Sequence, residues 1–154
     1  FTHLGGSKAQ VRVFTGDARV VMRDKRAGPY GIIVLDAFNG GAIPVHLLTE
    51  EAFRTYADRL APGGLVVAHV TNRFLNLKPA LAALGNELGW AVAAKRSKPD
   101  EVVAGSEFAS SWVALTSDRK KFLRLKGLGW SDISNEAAPR PWTDDFSSVF
   151  SALR

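Results

Sequence analysis

Apolar and polar positions recur along the chain in two different periods, and the switches between them mark out its elements. Val11-Arg12-Val13-Phe14 alternates and is rich in β-branched residues, which predicts a short strand. Thr15-Gly16 ends it, and Asp17 then stands where an N-cap would open a helix from Ala18 to about Arg23. Gly28-Pro29 predicts a turn. Ile32-Ile33-Val34-Leu35 is a continuous apolar run, the pattern of a strand buried on both faces, and it stops at Asp36. Gly40, Gly41 and Pro44 predict an irregular loop. Thr49 then opens a helix with Glu50 and Glu51 in its first turn, where the helix dipole favours acids, and Phe53, Tyr56, Ala57 and Leu60 follow at helical spacing.

Ala61-Pro62-Gly63-Gly64 is expected to break that helix before a second buried strand, Leu65 to Val70, which ends at Thr71-Asn72-Arg73. A helix from about Pro79 to Leu88 closes at Gly89, a natural left-handed C-cap, and Trp90 to Lys95 forms the next strand. The polar stretch 97–107 predicts a mobile connection; Ser111 to Thr116 is a further strand, and Asp118 caps a short helix through Leu125. The tail, with Pro139 and Pro141, is irregular. Strands alternating with helices predict a single α/β domain around a mostly parallel sheet, and the close pair of late strands predicts an antiparallel edge.

Composition narrows the chemistry. The 154 residues contain no cysteine, which rules out disulfides, thiolate metal sites and a cysteine nucleophile. No apolar run approaches the roughly 20 residues of a membrane span, and no secretory signal pattern is present, so a cytoplasmic setting without membrane contact is the default expectation. The net charge is +5, from 20 basic and 15 acidic residues, but the basic residues are scattered. The helix with Lys120, Lys121 and Arg124 reads as a solvated face, and no nucleic-acid partner is expected. Three scattered histidines, His3, His46 and His69, with no clustered carboxylate do not suggest a metal site.

In open α/β sheets ligands bind outside the carboxyl ends of the strands. Three predicted strands end in polar residues there: Gly16-Asp17, Asp36, and Thr71-Asn72-Arg73. Asp36, directly after four apolar residues, is suited either to hold a cationic substrate and take its proton or to cap the amides of the next loop. Asp17 divides in the same way between N-cap and ligand contact. His69, inside a predicted strand, reads as a core residue, and Trp112 and Trp130 as core aromatics.

Together, Val13-Phe14-Thr15-Gly16-Asp17-Ala18-Arg19, Tyr30 to Phe38, Ala42 to Thr49, Leu60 to Gly64, His69 to Arg73 and Pro141-Trp142-Thr143-Asp144-Asp145-Phe146-Ser147 resemble the spermidine synthase-like proteins. These are aminopropyltransferases on the class I methyltransferase fold, a Rossmann-like sheet. The resemblance covers residues 9–153. It implies that decarboxylated S-adenosylmethionine, or S-adenosylmethionine itself, is the co-substrate without a metal, and that a polyamine or other amine is the acceptor. It places Asp17 and Ala18 at the adenine, Asp36 at the attacking amine and Tyr30 on the substrate side. Asn39 stands where the family carries a second acid for the diamine. The resemblance also implies that the fold's first two strands are missing before residue 9, so that this part alone is expected to be inactive and the Val11 strand must pair with the Ile32 strand, borrow a partner or detach. Exposed sheet edges then predict a homo-oligomer, which light scattering would reveal as more than one chain. A catalytically silent association or ligand-sensing domain, and a methyltransferase of another acceptor, are the alternatives.

Overall fold

A computed structural model describes residues 5–24, 28–37, 44–72, 74–97, 109–148 and 152–153. Its five strands are β1 (Tyr30–Leu35), β2 (Leu60–His69), β3 (Ala91–Arg96), β4 (Ser111–Thr116) and β5 (Ser131–Asp132). The helices are α1 (Ala18–Arg23), α2 (Glu50–Ala57), α3 (Lys78–Leu88) and α4 (Arg119–Gly127). They form one sheet in the order β1-β2-β4-β3-β5. β1 and β2 are parallel, while β4 lies antiparallel to both β2 and β3, and β5 pairs antiparallel with β3 at the far edge. β1, β2 and β3 therefore run in one direction and β4 and β5 in the other. The close pair of late strands, β3 and β4, is antiparallel as expected, but β4 lies inside the sheet, and the short β5 forms the edge.

Most elements form where the side-chain pattern places them. Asp17 accepts the Val20 amide (2.9 Å) to start α1, and Thr49 accepts the Ala52 amide to start α2. Asp118 accepts the amides of Lys120 and Lys121, and Gly89, at φ 67°, ends α3 in the left-handed region. One face of the sheet, with Ile33 and Leu35 of β1 and Val66 and Ala68 of β2, joins Phe53, Tyr56, Leu81 and Leu84 in the core. The approach of α3 is close: a β-carbon on Gly85 would lie 2.0 Å from Val92 Cγ2. On the opposite face Ile32 and Leu65 border a groove of about 460 Å³ against Leu125 and Leu128 beside α4.

Three expectations are corrected. Val11 to Phe14 is no strand; the segment runs alongside α1 without a sheet partner among the described residues, with Val13 73% and Phe14 55% exposed. An isolated strand has no ladder in which to satisfy its backbone, so within the single chain the segment lies apart from β1. β1 is buried on one face only, since Ile32 and Val34 are each 57% exposed and α4 leaves an open groove beside Ile32. Finally, Leu60 to Gly64 leaves the helix and enters β2. Tyr30 pairs with Leu60 and Ile32 with Leu65, so β2 bulges there. Gly63, at φ 69°, sits where a β-carbon would be 2.6 Å from Asp118 Oδ2, which accounts for a glycine at the bulge.

Candidate functional site

β1 and β2 end level with each other, because Leu35 is registered with Ala68. The next residues, Asp36 and His69, therefore stand side by side on the face opposite the core. His69 Nδ1 lies 2.8 Å from Asp36 Oδ1, and its Nε2 lies 2.6 Å from Thr71 Oγ1. Thr71 Oγ1 also accepts the Ser111 amide at 2.8 Å. The imidazole stacks on Trp112, its cross-strand neighbour on β4, with centroids 4.6 Å apart and planes 22° apart. Trp112 is itself held by donation from Nε1 to Ser110 Oγ at 3.1 Å. The His69 and Asp36 side chains are 25% and 57% exposed, so the pair forms a wet rim. His69 thus lies at the rim and not in the core, and Trp112 is half-buried against it. Strand parity explains both: Val66, Ala68 and Val70 point into the core, so His69 points out.

Asp17 belongs to a second cluster. Its Oδ2 pairs with His46 Nε2 at 3.0 Å, while its carboxyl is held below the ordinary range, first by the Val20 amide and further by His46. Arg19, two residues on, is buried and reaches the tail in a two-pronged bond to Asp144, both contacts 2.6 Å. Thr49 Oγ1 donates to the same carboxylate at 2.8 Å, and the Glu50 amide donates to the Trp142 carbonyl at 2.8 Å. The tail thereby ties the first turn of α1 to that of α2. No hydrogen bond or ion pair among the described residues joins Asp17 to Asp36.

Tyr30, at the start of β1, lines a cleft of about 440 Å³ with Phe14, Val20, Val21 and Met22. Ala18 is the exposed first residue of α1. Asn39 lies outside the described residues. Among the described residues no group of three or more His, Asp or Glu could hold a metal, and no helix is long and apolar enough to cross a membrane.

No family model matches the chain. A polyamine aminopropyltransferase of Vibrio vulnificus (strain CMCP6) is 48% identical over 62 residues, which cover 38% of this chain and 20% of that protein. The crystal structure of a probable spermidine synthase from Corynebacterium glutamicum ATCC 13032 superposes with a TM-score of 0.58 at 19% identity, over 88% of this chain and 55% of that one. The chain thus shares a fold with the one protein and, over 62 residues, is similar in sequence to the other. It spans little more than half the length of the solved relative that shares its fold.

The donor that the resemblance implies would be a cationic nucleoside, and Asp17 is the described residue whose charge would suit it. Asp17 stays ionised, and each of its oxygens keeps a lone pair beyond the Val20 and His46 contacts. Thr71 belongs to the polar strand end that the side-chain pattern already marks, whereas Trp112 reads there only as a core aromatic. The signal for Trp112 lies in pairing, because it meets His69 across the ladder from β4.

The tail carries an acid-sensitive bond. The Asp144 carboxyl is pulled down to about 2 from 3.8, chiefly by the Arg19 hydrogen bond and further by Thr49, against a smaller upward push from burial. A carboxyl depressed in the folded chain contributes stability in full above its unfolded value and loses it as pH falls through the folded value. Asp144 is 41% exposed, so screening reduces the contribution to about 1 kcal/mol. Acid titration followed by near-ultraviolet circular dichroism, which senses the buried Trp142, should show tail release between pH ~4 and ~2. The step should be absent in Asp144→Asn; an identical step in that variant would assign it to other carboxyls.

Proposed function

We propose that this chain supplies the acceptor side of an aminopropyltransferase that moves an aminopropyl group from decarboxylated S-adenosylmethionine to a polyamine. The observation that carries this reading is Asp36: a carboxylate at the carboxyl end of β1, held on one oxygen by His69 and open on the other. Among the described residues Asp36 Oδ2 has no hydrogen-bond partner, so it can receive an N–H of a cationic amine.

An amine attacks only after losing its proton, and Asp36 both draws the ammonium to the rim and accepts that proton as the nitrogen becomes nucleophilic. Asp17 and Ala18 would hold the adenine end of the donor, the ionised Asp17 accepting from an exocyclic amine. When bound, the donor supplies an electrophilic carbon at a sulfonium centre. Tyr30 gives the substrate side an aromatic wall, and Asn39, by the resemblance, replaces a second acid with a residue that brings no balancing charge. That uncharged Asn39 is what favours the second reading, a catalytically silent domain that senses or associates.

Isothermal calorimetry separates them. Titration with putrescine and, separately, with methylthioadenosine is expected to give heat, with the methylthioadenosine signal lost in Asp17→Ala. An absence of heat with both compounds would leave the silent reading in place.

A further inference from the structure

We infer that His69 is a positioning residue for Asp36, locked by Thr71 into the ring form that carries its proton on Nδ1. The inference rests on the amine-binding reading of Asp36 and adds a residue and a mechanism to it.

The lock follows from hydrogen-bond accounting. Asp36 Oδ1 sits 2.8 Å from His69 Nδ1, and an ionised carboxylate only accepts. A bare Nδ1 would set two lone pairs against each other at that distance, so Nδ1 must donate. A neutral ring then leaves Nε2 as an acceptor, and at 2.6 Å it faces the Thr71 hydroxyl, its hydrogen-bond partner among the described residues. The Ser111 amide, a donor only, occupies Thr71 Oγ1 from the other side at 2.8 Å. The hydroxyl hydrogen is thereby turned toward the imidazole. A chain of donors therefore runs from the β4 backbone through Thr71 and His69 to Asp36. Stacking on Trp112 fixes the plane of the ring, so the donor direction is fixed as well.

The effect on Asp36 is geometric. With Oδ1 occupied, Oδ2 is presented outward in a single orientation, and an arriving amine meets an acceptor already aimed at it instead of a freely turning carboxylate. His69 need not touch the amine; it acts through Asp36.

Histidine geometry gives a test specific to this role. An Asn side-chain amide places its nitrogen near the Nδ1 position, and a Gln amide places its nitrogen near the Nε2 position. In calorimetry with putrescine, His69→Asn should bind within about threefold of the unaltered chain, whereas His69→Gln and His69→Phe should bind about tenfold more weakly, the scale of one hydrogen bond to a charged group. Nitrogen-15 NMR of the histidine rings reports the proton position without any ligand. His69, identified by the signal that His69→Asn removes, should show protonated Nδ1 and bare Nε2 when neutral, and Thr71→Val should convert it to a mixture. Protonated Nε2 with bare Nδ1 in the unaltered chain, or equal weakening by Asn and Gln, overturns the positioning role while diamine binding still stands. An absence of putrescine heat from the unaltered chain, with Nδ1 protonated, instead overturns the amine reading and the role that rests on it.

Discussion

Asp36→Asn is expected to weaken putrescine binding by roughly 30- to 100-fold while leaving the fold intact. Removing one charge of a hydrogen-bonded pair costs about 2–5 kcal/mol, and tenfold in affinity corresponds to about 1.4 kcal/mol. Asp36 is 57% exposed, which places the loss at the lower end of that range, because water competes for both partners. Asparagine is the informative replacement. Its carbonyl oxygen still accepts from His69 Nδ1, so the strand ends stay joined and only the charge is lost. Matched calorimetry and circular dichroism of the two chains make the measurement. Unchanged affinity would remove Asp36 from the amine site and return it to the capping role that an aspartate at a strand end also suits.

The largest stability effect is expected far from that rim. Trp142 is 2% exposed and belongs to the same core cluster as Phe53, Leu77 and Leu81. Trp142→Ala should destabilise the chain by about 3–5 kcal/mol, from lost burial and from the cavity left behind. Against a total of about 5–15 kcal/mol for a domain, that is a large fraction. At this chain length it corresponds to roughly 6–20 °C in melting temperature. Trp130, half-buried and outside the core cluster, serves as the comparison and should cost much less. Denaturant melts of both variants decide the matter, and similar midpoints would show that the tail is not part of the core. Because the Trp142 carbonyl receives the Glu50 amide, a loosened tail should also fray the start of α2.

These two residues also show where sequence is informative. Asp36 could be found because an apolar run ends on it abruptly, and a strand end in an α/β sheet is a place for ligands. The caps at Asp17, Thr49, Asp118 and Gly89 were equally legible, since each rests on local backbone chemistry. The role of Trp142 was not, because the tail has no periodicity and its burial comes from docking across the whole chain length. The exposure of His69 is hidden from the sequence for a related reason. An apolar strand suggests burial on both faces, whereas here one face is only thinly covered, and parity decides which residues meet water. The segment from Val11 to Phe14 has strand composition but no neighbour to pair with, and pairing is the part of strand formation that composition does not supply.

The bulge in β2 sets which changes of chain length the site can absorb. From Leu60 to Leu65 the strand advances five residues while β1 advances two, from Tyr30 to Ile32. From Leu65 onward the strands keep step, so only the short run up to His69 fixes the phase of His69 against Asp36. A residue gained or lost before Leu65 changes the size of the bulge and leaves that phase alone. A single residue deleted between Leu65 and His69 reverses the parity, turning His69 toward the core and a small apolar residue toward Asp36. The pair at the rim is thus insulated from length variation on its amino-terminal side and exposed to it over one short stretch of strand.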